Sequence, residues 1–170
     1  MDGLSKKAND VCSFLDKLGI EYSAVRHAPA FTIDECKNAE KLIGGKICKN
    51  LFLRTSSGDI RYLLLMDGNK RFVTKEVSKS LGTSRLSFAS KEEMEEVLNT
   101  SAGSLSITSL IFNNKKNVFL AIDEDVLKEE YICCHPSDNN ATLKIKTSDI
   151  LEIFLPHIGI TPETIEITGQ

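Results

Sequence analysis

The feature that most constrains this chain is a pair of apolar, β-favouring runs split by one tight turn. Residues 47 to 55 and 60 to 66 flank Ser56-Ser57-Gly58-Asp59 and read as a hairpin, two strands that bury together. Upstream, Gly44-Gly45 releases the first run from the segment before it. At the mouth of that run sits Lys49, in the stretch Gly44-Gly45-Lys46-Ile47-Cys48-Lys49-Asn50-Leu51-Phe52-Leu53-Arg54. A cation at the entrance of a buried strand is fixed by packing on either side, yet free to reach an anion. Lys is seldom buried unless paired, so on this segment alone a solvated edge lysine is the simpler reading.

The rest of the chain supplies helices around that hairpin. Val11, Phe14, Leu15 and Leu18 fall at i, i+3, i+4 and i+7, predicting an amphipathic helix over residues 5 to 18, stopped by Gly19. A strand follows over residues 20 to 26. Thr32-Ile33-Asp34-Glu35 is a capping box that opens a helix to about residue 43, and Ser90-Lys91-Glu92-Glu93 opens another to about residue 98. Between them lie a short helix over residues 75 to 81 and an extended piece over 85 to 88. The Gly103-Ser104-Leu105-Ser106 loop feeds the apolar run 107 to 112, and Asn113-Asn114-Lys115-Lys116 turns the chain. Val118-Phe119-Leu120-Ala121-Ile122 is continuously apolar and should be central in a sheet. Further strands are expected at 131 to 134 and, with one wet face, at 143 to 146. A closing helix over 148 to 155 ends before Pro156, and the tail carries no strong pattern. Strands in pairs with helices interspersed, rather than strict βαβ alternation, predict an α/β (α+β) fold with a mixed sheet. The whole chain, residues 1–170, is expected to be a single domain.

Composition excludes several classes. No stretch approaches ~20 apolar residues and the N-terminus lacks a hydrophobic signal core, so a cytoplasmic protein without membrane contact is expected. The formal charge of -3 argues against indiscriminate polyanion binding and leaves room for a local basic face, with Lys46, Lys49, Lys70, Arg71 and Lys75 as its candidates. Cys12, Cys36, Cys48, Cys133 and Cys134 show no C-x-x-C spacing. Neighbouring cysteines on a strand point to opposite faces, so reduced, packed thiols are expected and no metal. Gly45-Lys46 fails as the end of a phosphate-binding loop, because Glu40 and Ile47 stand where a glycine and a hydroxyl are needed.

Three segments can carry chemistry, each where a strand meets a loop. They are Lys49-Asn50, the Gly103-Ser104 loop, and His135-Pro136-Ser137-Asp138-Asn139-Asn140-Ala141-Thr142. Asn139 and Thr142 can also simply fix their loop, and His135 can be a satisfied structural histidine. Ser104, His135 and Asp138 supply the residue types of a serine hydrolase, but nothing sets the serine on a nucleophile elbow.

In register, these segments resemble the YbaK/ProRS-associated family of aminoacyl-tRNA editing domains. The order is Lys49-Asn50-Leu51-Phe52-Leu53, Arg85-Leu86-Ser87-Phe88-Ala89-Ser90, Gly103-Ser104, then His135-Pro136-x-x-Asn139-x-x-Thr142. His27-Ala28-Pro29-Ala30-Phe31-Thr32-Ile33-Asp34-Glu35 is further similar to the free-standing PrdX/ProXp-ala group. The resemblance spans residues 10 to 155. It implies a mixed, mostly antiparallel, barrel-like sheet with surrounding helices, and hydrolysis of a mischarged tRNA, alanine on proline tRNA in this group. It implies Lys49 as the essential lysine, with Gly103, Ser104, Ile107, His135, Asn139 and Thr32 around the substrate. No cofactor or metal is implied. The partners implied are the 3′ end of tRNA and prolyl-tRNA synthetase. Two departures stand out: Ile107 replaces the loop proline, and Ile47-Cys48 replace the His-Thr common before the lysine. If Ile107 lines the acyl pocket, it should keep that pocket small and apolar. The competing expectations are a non-catalytic tRNA- or synthetase-binding module, a deacylase for cysteine or serine, and a small-molecule hydrolase or binding protein.

Overall fold

A computed structural model of the protein describes residues 3–29, 33–113 and 117–170. Thr32, with its expected capping and substrate-binding roles, and most of the expected turn at 113 to 116 lie outside the described residues. Helices α1 (Lys6–Lys17), α2 (Ile33–Ile43), α3 (Thr74–Ser80) and α4 (Lys91–Leu98) are followed by a short helix at Glu124–Leu127 and a closing helix over residues 147–157. The strands are β1 (Tyr22–Arg26), β2 (Lys49–Thr55), β3 (Arg61–Met66), β4 (Leu86–Phe88), β5 (Val118–Asp123), β6 (Tyr131–Cys134), β7 (Ala141–Lys146) and β8 (Glu163–Ile165).

Two sheets share the strands. One is antiparallel with order β1-β7-β6; the other is mixed with order β4-β2-β3-β5-β8. The hairpin is antiparallel in the register Lys49↔Met66 to Arg54↔Arg61, while β5 runs parallel to both β3 and β8. A single parallel bridge, Ile47↔Cys133, joins the sheets just ahead of Lys49.

Strand parity explains where the core lies. On one face Phe52, Leu63, Leu65, Leu120 and Ile122 meet Ile132, Cys134, Leu143 and Ile145 of the smaller sheet, and α1 and α4 close over them. On the other face Leu53, Leu64, Met66 and Ala121 pack against Val77 of α3 and Ile165 and Ile167 of the tail. Apolar residues on both faces make β3 and β5 central, as a continuously apolar strand requires. Local signals act as expected. Ser5 caps α1 by accepting from the Ala8 N–H, and Ser90 and Glu93 complete a reciprocal capping box on α4.

Three segments take forms that their local pattern does not announce. The apolar run 107 to 112 is a 3-10 helix (Ile107–Phe112), opened by Ser106 and turned so that Ile107, Thr108, Ser109 and Leu110 are buried. The closing helix does not stop before Pro156; it runs to His157 through a π turn at Ile150–Phe154. Proline lacks an N–H and its ring crowds the carbonyl four residues back, and a widened turn relieves both. The patternless tail forms β8, held by the exposed edge of β5 rather than by its own periodicity.

Candidate active site

Lys49 opens β2, and everything around it is arranged by the chain on either side. Gly45 is required there: a Cβ would come within 2.5 Å of Cys133 Sγ, at the place where the sheets join. The Ile47 N–H donates to Glu40 Oε1 at 2.8 Å, tying the end of α2 to the strand entrance. The Lys49 side chain is exposed and its Nζ donates to the Lys70 carbonyl at 2.6 Å.

That carbonyl belongs to a turn anchored from below. Asn69 N–H donates to Asp67 Oδ1 at 2.7 Å, and Asp67 N–H to Asp123 Oδ2 at 3.2 Å. Asp123 is fully buried, and Lys70 Nζ reaches its Oδ1 at 2.8 Å and Asp125 Oδ2 at 2.6 Å. A buried carboxylate needs such partners to replace its lost hydration. Asp123 thus fixes the Lys70 backbone, and the Lys70 backbone fixes Lys49.

The second wall is the loop from β6 to β7. His135 is 6% exposed and donates through Nδ1 to the Ala141 carbonyl at 2.8 Å. A carbonyl only accepts, so in the neutral ring Nε2 carries the lone pair. Burial pushes the His135 pKa down, the Ala141 bond opposes this, and His27 adds to it. The His135 carbonyl accepts from the Ser106 and Thr108 hydroxyls, the latter at 2.9 Å, and Ser109 Oγ meets Ser137 Oγ at 2.9 Å. Asp138 accepts from the Ser5 N–H at 3.1 Å and the Asn140 N–H at 3.0 Å. Burial raises its pKa, and the Ser5 and Asn140 donors outweigh that, holding the carboxyl below its ordinary value. With Asp138 committed there and His135 Nδ1 on a carbonyl, the serine-hydrolase arrangement of Ser104, His135 and Asp138 is not assembled.

These walls enclose a cavity of about 560 Å³. Lys49, Asn50, Gly103, Leu105 and His135 line it, brought together from three distant parts of the chain. Gly103 holds φ +87°, a conformation that favours glycine, and the neighbouring Ser104 N–H is committed to the Ser101 carbonyl at 3.0 Å. Asn50 Nδ2 donates to the Cys48 carbonyl at 3.0 Å, while its buried Oδ1 has no hydrogen-bond partner among the described residues.

The other expected site residues stand elsewhere. Ser104 is half-buried and Asn139 buried, and neither is among the residues lining the cavity. Ile107 is a correction of placement: it is fully buried in the main core, and Leu105 forms the cavity wall instead. The 3-10 helix beginning after Ser106 turns that side chain inward. Of the expected basic face, Lys46 is paired with Glu129 at 2.9 Å and Lys70 with Asp123 and Asp125, leaving Lys49, Arg71 and Lys75. Sequence reasoning missed Cys36, Lys37 and Glu40 of α2, which also line the cavity; only the capping signal beside them hinted at their position. Cys48 lines it too, but burial pushes its thiol up to about 12, so it stays protonated at neutral pH. Among the described residues no group of His, Cys, Asp and Glu is placed to hold a metal ion, and no helix is long and apolar enough to cross a membrane.

Residues 27–153 match the aminoacyl-tRNA editing domain family. The chain belongs to that family. It is 30% identical over 167 residues to the prolyl-tRNA editing protein ProX of Acetoanaerobium sticklandii, covering 98% of this chain and all of that one. It is 28% identical over 151 residues to prolyl-tRNA synthetase associated domain-containing protein 1 of Danio rerio, covering 88% and 81%. A solved structure provisionally described as a trans-editing enzyme for prolyl tRNA synthetase has the same fold. Its TM-score is 0.73 at 20% identity, over 97% of this chain and 99% of that one. The mixed α/β architecture read from the pairing of strands is therefore the architecture of the editing fold, and the chemistry of the family is hydrolytic editing of aminoacyl-tRNA.

Proposed function

We propose that residues 1–170 act as one cytoplasmic deacylase domain that hydrolyses alanine from mischarged proline tRNA. The observation that carries this reading is the convergence of Lys49, the Gly103 loop and His135 on one cavity. The chemistry needs little more. An aminoacyl ester is already activated, so a placed water and stabilisation of the developing oxyanion suffice. Water adds to the ester carbonyl, the bond to the ribose oxygen breaks, and the proton passes to that oxygen as the amino acid leaves.

Lys49 is the residue assigned to hold the terminal adenosine's phosphate or the substrate's polar atoms. The Lys70 carbonyl accepts a hydrogen bond from one of its three N–H groups and leaves two for an anion. Backbone groups of Gly103 and Leu105 are assigned to orient the water, with Ser104 shaping that loop. Neutral His135, through its Nε2 lone pair, is assigned as an acceptor for the water or the substrate's amine, with Asn139 fixing the loop and Thr32 assigned to the substrate on the family motif alone. The partners proposed are the 3′ end of proline tRNA and, for supply of the mischarged species, prolyl-tRNA synthetase.

Alanine follows from the limits of recognition. A synthetase site built for proline rejects a smaller side chain by only ~1–3 kcal/mol, so a second site that admits alanine and excludes proline complements it. The test is hydrolysis of alanyl-, seryl-, cysteinyl- and prolyl-tRNA by the purified protein. Cleavage of alanine with proline spared is expected. Efficient removal of proline, or binding of tRNA without turnover, would refute the reading.

A further inference from the structure

A large aromatic side chain stands in water on the face of the sheet that Lys49 shares, and nothing in the fold requires it there. Phe88, on the three-residue edge strand β4, is 61% exposed. A short edge strand is better protected by a charged or small residue than by an aromatic ring, which invites sticking. Phe88 leans on Phe72, with ring centroids 5.4 Å apart at 56°.

Strand parity sets both rings on the Lys49 side of the sheet. Side chains alternate, so Lys49, Leu51 and Leu53 share one face of β2. Phe88 is the direct partner of Leu53 in β4, and opposed residues of an antiparallel pair share a face. Leu51 and Phe72 both pack on the hydrophobic cluster of that face. Lys49 to Leu53 spans about 13 Å at ~3.3 Å per residue. Phe72 follows by two residues the Lys70 carbonyl that holds Lys49 Nζ. Ammonium, half-buried ring and exposed ring therefore form a row. Arg71 and Lys75, on the same segment as Phe72, are exposed and make no ion pair among the described residues. In a chain of formal charge -3 these are cations within three residues of Phe72 along the chain.

We infer that Phe72 and Phe88 form a stacking platform for the unpaired nucleotides that precede the terminal adenosine of the substrate, with Arg71 and Lys75 on their phosphates. The inference rests on the proposed deacylase reading for its substrate. Single-stranded nucleic acid is commonly held in this way, by base stacking on aromatic faces and a basic track for the backbone, which tolerates any base because each has a π face. Held there, the strand delivers its terminal ester toward Lys49 and the cavity.

The test compares Phe88→Leu, which keeps an apolar side chain and removes the ring, with Phe88→Tyr, which keeps the ring. Two substrates are used: alanyl-tRNA, and 3′-O-alanyl-adenosine, which has the ester but none of the preceding nucleotides. Phe88→Leu should lower kcat/KM on alanyl-tRNA about 10-fold, a loss within the range of one stacked base, and leave the minimal substrate unchanged. Phe88→Tyr should match the unmodified protein on both. Equal losses on both substrates, or no loss on either, would overturn the platform, the latter pointing to an apolar protein partner instead. Fluorescence anisotropy with a four-nucleotide RNA ending in CCA gives an arm that needs no turnover. Weaker binding by Phe88→Leu, and not by Phe88→Tyr, is expected even if the unmodified protein cleaves neither ester. Equal binding by all three forms would refute the platform.

Discussion

Replacing Ile107 by alanine separates a core residue from a pocket residue. Ile107 is fully buried among the main core, on the inward side of its 3-10 helix. Three buried carbons are lost, and at ~0.8 kcal/mol for each the transfer loss is about 2.4 kcal/mol. The surrounding helix and sheet are fixed by the Ser106 and Thr108 bonds to the His135 carbonyl, so the void should collapse only in part. A total near 3–4 kcal/mol is expected, within the range of roughly 2–5 kcal/mol for such changes. For a chain of this size that lowers the melting temperature by about 6–16 °C, at ~2–4 °C per kcal/mol. Ile107→Val should cost only ~0.5–1.5 kcal/mol. Urea titration of both variants gives the free energies, and hydrolysis of alanyl-, seryl- and prolyl-tRNA at a temperature where both are folded gives the specificity. Because Leu105 rather than Ile107 lines the cavity, the order of substrates should not change. A loss below ~1 kcal/mol together with faster hydrolysis of seryl-tRNA would refute the reasoning and return Ile107 to the acyl pocket.

Lys49→Ala should abolish most turnover in single-turnover deacylation while moving the urea midpoint little, since its side chain is exposed; Lys49→Arg should not rescue, because a forked guanidinium does not reproduce a point charge. Asp123→Asn should cost about 2 kcal/mol through weakened bonds to Lys70 and the Asp67 N–H, and should lower kcat by loosening the carbonyl that holds Lys49. Burial lowers the His135 pKa, so the unfolded chain binds the extra proton first as pH falls. Its contribution to stability is complete above the ordinary imidazole value of about 6.5 and is lost below it, toward the lower folded value. Urea midpoints between pH 7 and pH 5 should show that loss, and His135→Gln should flatten it.

What the sequence by itself determined was local. The 3.6-residue spacing from Val11 to Leu18 made α1, the Ser90 and Glu93 pair opened α4, and the Ser-Gly-Asp turn set the hairpin whose first residue is Lys49. Each of these signals lies within a few residues, where periodicity and capping act directly. The Gly103 loop and His135 were legible as junctions able to carry chemistry, but their meeting at one cavity was not, because no local pattern says which loops will face each other. Tertiary structure decided the rest. It turned Ile107 into the core, since a 3-10 helix sends its side chains where the packing needs them. It made a strand of the Glu163–Ile165 tail, because an unpaired edge of β5 supplied hydrogen bonds that the tail's own sequence does not request. It placed Lys70 on Asp123, 53 residues away, and so fixed Lys49 through a backbone carbonyl. And it brought Phe72 onto Phe88, because strand pairing, rather than separation along the chain, determines which side chains share a face.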